Sequence, residues 1–186
     1  MSEAEQISLC QRNDRKAQRE LYSNYYGKLM GLSLRYSKND TEAADMLNKG
    51  FVKIYNQIGT YKNQTLFSDW IKNVFVSHAV HYLKNNRQEY YITTTTKADN
   101  GKNNPDLFHQ AEEGDPNEIS NEGYVKALQQ LPPSFRSIFN MYVLDGYSHL
   151  QISETLEISE ETSKLNLEKA RFSMQRTIQQ QLKGYS

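Results

Sequence analysis

A chain of 186 residues accommodates one ordinary domain or two small ones, and an apolar share of 37% suits helical bundles whose outer faces stay polar. No apolar run reaches the roughly 18 to 20 residues of a membrane span, and the opening MSEAEQISLCQRNDRKAQ lacks the apolar centre of a secretory leader, so a cytoplasmic protein with no direct membrane insertion is expected. Zero net charge conceals a segregation: residues 1–87 carry 13 basic and 8 acidic groups, 88–124 carry 2 and 8, and 125–186 carry 7 and 6, so an acidic block lies between two near-neutral or basic ones.

From Gln11 onward the apolar residues Leu21, Tyr25, Leu29, Leu32 and Tyr36 recur at helical spacing. A first long helix should end near Ser37-Lys38-Asn39-Asp40, where Asp40 or Thr41 caps a second helix that runs to about Ile58 and buries Met46, Leu47, Phe51 and Ile54. The segment GTYKNQTLFSD reads as a loop. Ser68 or Asp69 then caps a third helix from Trp70 to about Asn86, with Trp70 a core anchor and Ile71, Val74, Phe75, Ala79, Tyr82 and Leu83 on its apolar side.

Residues 88–122 contain TTTT, DNGKNNPD and EEGDPNE, which join turn formers to negative charge and offer almost nothing to bury, so this stretch is expected to be a flexible acidic linker. Beyond it, Tyr124–Leu131 should form a short helix stopped by Pro132-Pro133, and Ser134–Leu144 another that ends at Asp145-Gly146. In SHLQISETL, Ser148 and Gln151 have the spacing of a capping box; after a turn at Glu157-Ile158, Ser159 caps a long helix from Glu160 to about Lys183. Short helix, tight turn and long helix are the grammar of a helix-turn-helix.

At this point the C-terminal block resembles region four of the sigma-70 superfamily, through Leu131-Pro132, the Arg136 to Tyr142 helix, Gly146-Tyr147-Ser148, Ile152, Leu156, Ile158-Ser159, Thr162, Lys164 and Ala170-Arg171. The N-terminal block is similar to region two, through Leu21-Tyr22, Tyr25-Tyr26, Ala43, Asp45-Met46-Leu47, Phe51-Val52-Lys53-Ile54-Tyr55, Phe67, Trp70-Ile71, Ala79 and Tyr82-Leu83-Lys84. Two such regions without a third between them resemble the extracytoplasmic-function group. The resemblance implies an all-α protein: a region-two helical domain over 1–87, the linker over 88–122, and a region-four helix-turn-helix domain over 123–186. It implies a promoter-specificity subunit that binds core RNA polymerase and promoter DNA, and commonly an anti-sigma factor. A sigma-like adaptor, or a helix-turn-helix regulator acting without polymerase, is the alternative.

The resemblance also assigns roles to positions. Thr162, Ser163, Lys164, Leu165, Glu168 and Lys169 would face the major groove of a minus-35 element, with Arg171 and Arg136 at the backbone. Leu165 stands where the family often has Ser, Asn166 where it often has Arg, and Glu168 adds a negative charge. The loop with Tyr61, Lys62, Asn63, Gln64 and Phe67 would capture a flipped minus-10 base, and Lys72, Ser77, His81, Lys84 and Arg87 would line the separated strand. The helix with Asp45, Asn48, Lys49, Phe51 and Val52 would meet the polymerase clamp, although Asn48, Lys49 and Gly50 depart from the usual pattern and Gly50 costs about 1 kcal/mol of helix propensity.

Nothing in the sequence points to catalysis, a cofactor or a small-molecule substrate: there is no phosphate loop, nucleophile elbow or convincing carboxylate pair. His78 and His81 share a helix, but no Cys, Asp or Glu in that helix completes a metal site, and the single Cys10 reads as a structural thiol.

Overall fold

The computed structural model describes residues 2–86 and 120–184. The described residues form an all-α protein that divides into two compact units, Met1–Tyr82 and Leu83–Ser186. The expected linker lies outside the described residues from 88 through 119, as does Arg87; its last three residues are corrected, since Ser120 caps a helix whose first turn holds Asn121 and Glu122.

The first unit begins earlier than the apolar spacing suggests. Ser2 caps α1 (Glu3–Gln11) by accepting the Glu5 N–H, and the helix buries Gln6, Ile7 and Cys10. The chain then turns through Asn13 at φ 62°, a left-handed conformation that Asn tolerates, and Asp14 caps α2 (Arg15–Tyr36) by accepting from Lys16 and Ala17. A pair of helices therefore precedes Ser37, because Asn13-Asp14 supplies a stop and a start that the apolar period does not register.

Helix α3 (Asp40–Gln57) is capped by Asn39, one residue ahead of the expected Asp40 or Thr41, with its side-chain oxygen 2.9 Å from the Glu42 nitrogen. It lays Ala43, Met46, Leu47, Gly50, Phe51 and Ile54 against α2 and the rest of the bundle. A short 3₁₀ turn, Ile58–Thr60, follows, and the Ile58 carbonyl accepts from the Gln11 amide at 3.1 Å, tying it to α1. Helix α4 (Phe67–Asn86) starts three residues before Trp70. Burial of Phe67 fixes its first turn, and the Leu66 carbonyl accepts the Trp70 N–H at 3.0 Å, so neither Ser68 nor Asp69 has to cap it.

Gly50 allows α3 and α4 to meet. A Cβ there would fall 2.4 Å from Cε2 of Phe75, a fully buried ring, so the helix propensity lost at Gly50 is offset by a close approach no other residue permits.

In the second unit, Ser120 caps α5 (Asn121–Gln130), and Pro133 occupies the first turn of α6 (Pro133–Phe139), where its missing N–H costs nothing. Helix α6 widens into a π turn, Asn140–Leu144, in which the Asn140 carbonyl accepts from Asp145 at 2.9 Å. Gly146 at φ 78° ends the element. Helix α7 (His149–Leu156) carries the expected capping box in full, with Ser148 and Gln151 bonded reciprocally at 3.2 and 2.9 Å. Glu157 takes the left-handed conformation at φ 58°, Ser159 accepts the Thr162 N–H at 3.0 Å, and α8 (Glu160–Gly184) follows. Leu167, Ala170, Met174 and Ile178 form the buried stripe of α8, which packs on α5, α6 and α7.

Candidate nucleic-acid interface

Helices α7 and α8 with the turn at Glu157 form a helix-turn-helix, and the first turns of α8 are held from two sides. Ser159 satisfies its N-terminus, and Ser163 on its inner side lies 2.9 Å from Nδ1 of His149 in α7. The His149 ring stacks on Tyr142 of the π turn at 4.4 Å, and the Arg171 guanidinium lies 5.9 Å from the Tyr142 centroid. Partial burial first, and the nearby Lys164 cation next, push the His149 pKa below its ordinary value, so the ring is neutral near pH 7.

Among the residues expected at the groove, Lys164, Leu165 and Glu168 are exposed, with Leu165 at 52%, and Thr162 and Lys169 are partly so. Two expectations are corrected. Ser163 is buried and serves the α7–α8 junction, so it does not face outward. Arg136 is 1% exposed and donates from Nη2 to the carbonyls of Leu131 at 2.7 Å and Gln129 at 3.2 Å, so it binds the C-terminal end of α5 and not a phosphate. Asn166 is also buried, so the Asn found where the family often has Arg bears on packing and not on the outward face.

The first unit holds the other expected faces. Tyr61, Phe67 and Trp70 make an aromatic cluster with centroids 5.0 to 5.8 Å apart, Phe67 and Trp70 stacked within 8° of parallel. Above it the loop is drawn tight: the Tyr61 hydroxyl donates to the Thr65 carbonyl at 2.7 Å, and Asn63 sits at φ 56°. Lys62, Asn63 and Gln64 are exposed on that loop, whereas Phe67 is fully buried and supports it from beneath, a correction to its expected role in touching a base.

Along α4, Ser77, His81 and Lys84 fall within about 100° of one another on the helix circumference. Lys72 is about 180° from His81, half-buried on the side that carries Phe75, Val76 and Ala79, so it does not join that row. Trp70, expected as a core anchor, is half-buried and shares the outward face with Ser77 and His81. Its spacing of seven residues to Ser77 was the signal for this. Among the described residues no group of His, Cys, Asp or Glu is gathered as a metal site.

On α3, Asp45, Asn48, Lys49 and Val52 lie at the surface, and Val52 is 57% exposed. Phe51, expected beside them, is 2% exposed and packs its ring 4.4 Å from Tyr22 of α2; it supports this face from below. Lys49 pairs with Asp45 at 2.8 Å and lies 5.1 Å from the Tyr82 centroid, while the Tyr82 hydroxyl donates to the same carboxylate at 2.6 Å. Those hydrogen bonds, from Lys49 first and Tyr82 second, hold the Asp45 carboxyl below the usual carboxylate range. The charge that departs from the family pattern is thus answered within the same face.

Residues 122–172 match the family described as sigma-70, region 4. The ECF RNA polymerase sigma-E factor of Haemophilus influenzae is 24% identical over 93% of this chain and 93% of its own. The ECF RNA polymerase sigma factor SigW of Bacillus subtilis is 22% identical over 92% of this chain and 94% of its own. The sigma factor RpoE of Bartonella quintana, solved in complex with the anti-sigma factor NepR, superposes with a TM-score of 0.54 at 12% identity, covering 87% of this chain and 96% of that one. With a helix-turn-helix at the matched region and relatives aligned along nearly the full length, the chain is similar to sigma factors of the sigma-70 superfamily, and the relatives named belong to its extracytoplasmic-function group.

Proposed function

We propose that the chain is a promoter-specificity subunit of bacterial RNA polymerase, which binds core enzyme, reads minus-10 and minus-35 elements, and performs no chemistry itself. The observation that carries this reading is the pairing of a helix-turn-helix in one unit with an exposed polar loop over stacked aromatics in the other. A duplex reader needs the first; a protein that holds a base out of the stack needs the second.

In this reading Thr162, Lys164, Leu165, Glu168, Lys169 and Arg171 face the upstream element. Tyr61, Lys62, Asn63 and Gln64 hold a flipped base, and Trp70, Ser77, His81 and Lys84 flank the separated strand. Asp45, Asn48, Lys49 and Val52 meet the polymerase. Residues 1–87 and 120–186 act as separate domains joined by an acidic tether over 88–119, and the protein works in the cytoplasm. The Bartonella complex supports an anti-sigma partner that holds the free chain.

The test is run-off transcription with purified chain, core enzyme of the native host and a promoter library. Transcript that depends on the chain is expected. Absence of transcript across the library overturns the reading, and duplex binding without core in a gel shift points instead to an independent regulator.

A further inference from the structure

The outward face of α8 has an unusual centre. At about 100° per residue, Leu165 and Glu168 lie within about 60° of each other and face away from the stripe of Leu167, Ala170 and Met174. Lys164 and Arg171 flank them on one edge and Lys169 on the other, all three placed to reach phosphate on either side of a groove. An apolar side chain and an anion thus occupy the positions nearest the base edges.

The major groove offers one apolar group, the thymine C5-methyl. Leu165 against a purine N7 or O6 would strip water from an acceptor and return no hydrogen bond, whereas against the methyl it buries apolar surface on apolar surface. Glu168 is exposed and takes no hydrogen bond or ion pair among the described residues. An ionised carboxylate only accepts, so of the base edges it suits the cytosine N4 amino group; adenine also carries a donor, but its adjacent N7 lone pair opposes the second carboxylate oxygen. Three residues of helix rise about 4.5 Å against about 3.4 Å per base pair, so the two bases lie within about two base pairs of one another.

We infer that Leu165 and Glu168 set the base preference of the upstream element, Leu165 packing on a thymine methyl and Glu168 accepting from a neighbouring cytosine amino group. This rests on the promoter-reading assignment above. It also accounts for both departures from the family pattern on this face of the helix.

The experiment selects duplexes randomised across the upstream element with holoenzyme assembled from full-length chain and native core. The selected thymine is then replaced by deoxyuridine, which removes the methyl alone. Selection should enrich a thymine with a cytosine within two base pairs, and the deoxyuridine duplex should bind wild-type holoenzyme about four-fold more weakly, the worth of one buried methyl group. Leu165→Ala should bind thymine and deoxyuridine duplexes equally, and Glu168→Gln should move the neighbouring preference from cytosine to adenine. Both positions are exposed, so neither substitution removes packing from the core. Equal thymine-to-deoxyuridine ratios for wild type and Leu165→Ala overturn the inference while leaving the promoter-reading assignment standing. Failure of the holoenzyme to retain any duplex overturns both.

Discussion

Single residues decide several of the packing problems in this chain, and Gly50 is the clearest. Gly50→Ala drives a Cβ into the buried Phe75 ring and is expected to lower unfolding free energy by about 1–3 kcal/mol despite better helix propensity. Gly27→Ala and Gly31→Ala, in α2 where nothing lies within 4 Å, should instead raise it by up to about 1 kcal/mol; urea denaturation of the three variants separates the two effects. Arg136→Gln should destabilise the second unit itself, since it leaves the Leu131 and Gln129 carbonyls without their donor, and thermal unfolding will detect this in the absence of DNA. His78, packed near Gly50 and Phe75, has its pKa pushed below the ordinary value by burial, against a smaller opposing hydrogen bond with the Met46 backbone. The unfolded chain therefore takes up this proton first, so stability should fall as pH drops below about 6.5 and level off once the folded form is also protonated. Urea midpoints at pH 7.5 and 5.5 should differ less for His78→Gln than for wild type.

At the scale of elements, what was legible in the sequence follows from how local each signal is. The capping box at Ser148 and Gln151, the turn at Glu157 and the Ser159 cap are decided by neighbours within four residues, and the helix-turn-helix could be read from them directly. Ser148→Ala should cost about 1 kcal/mol through loss of this cap, and Glu157→Gly should recover up to about 1 kcal/mol by relieving the left-handed backbone; both can be measured by thermal denaturation. Helix α1 was missed because its few buried residues barely interrupt a polar run, and the early start of α4 depends on burial of Phe67 against Tyr25 of α2 and Tyr61 ahead of the loop, which lie outside the helix. The candidate faces show the same division. Lys164, Leu165 and Glu168 are exposed as their phase on the helix dictates. Arg136, Ser163 and Phe51 face inward because of partners that local sequence does not reveal: the end of α5, the His149 ring and Tyr22.

For the whole molecule, the proposed function makes the covalent connection between the units an active part of the reader. Neither outward face is strongly cationic; Glu161 and Glu168 on α8 would oppose a firm hold on DNA by that helix alone. Joined on one chain, the second engagement becomes intramolecular, so supplying residues 1–87 and 120–186 as separate chains to core enzyme should reduce run-off transcript by about 10²-fold or more at equal concentrations. Equal transcript from split and intact chains would remove the tether from the mechanism. Orientation is a second property held by the whole, and the wide turn at Asn140–Leu144 governs part of it. Since the Asp145 N–H reaches back five residues and not four, one residue more than a regular turn holds is stored there, and the chain beyond it is phased by about 100° relative to an uninterrupted helix. Removing a single residue from that turn would leave every side chain of α7 and α8 intact yet point them elsewhere, so a change in length would act as a change in aim.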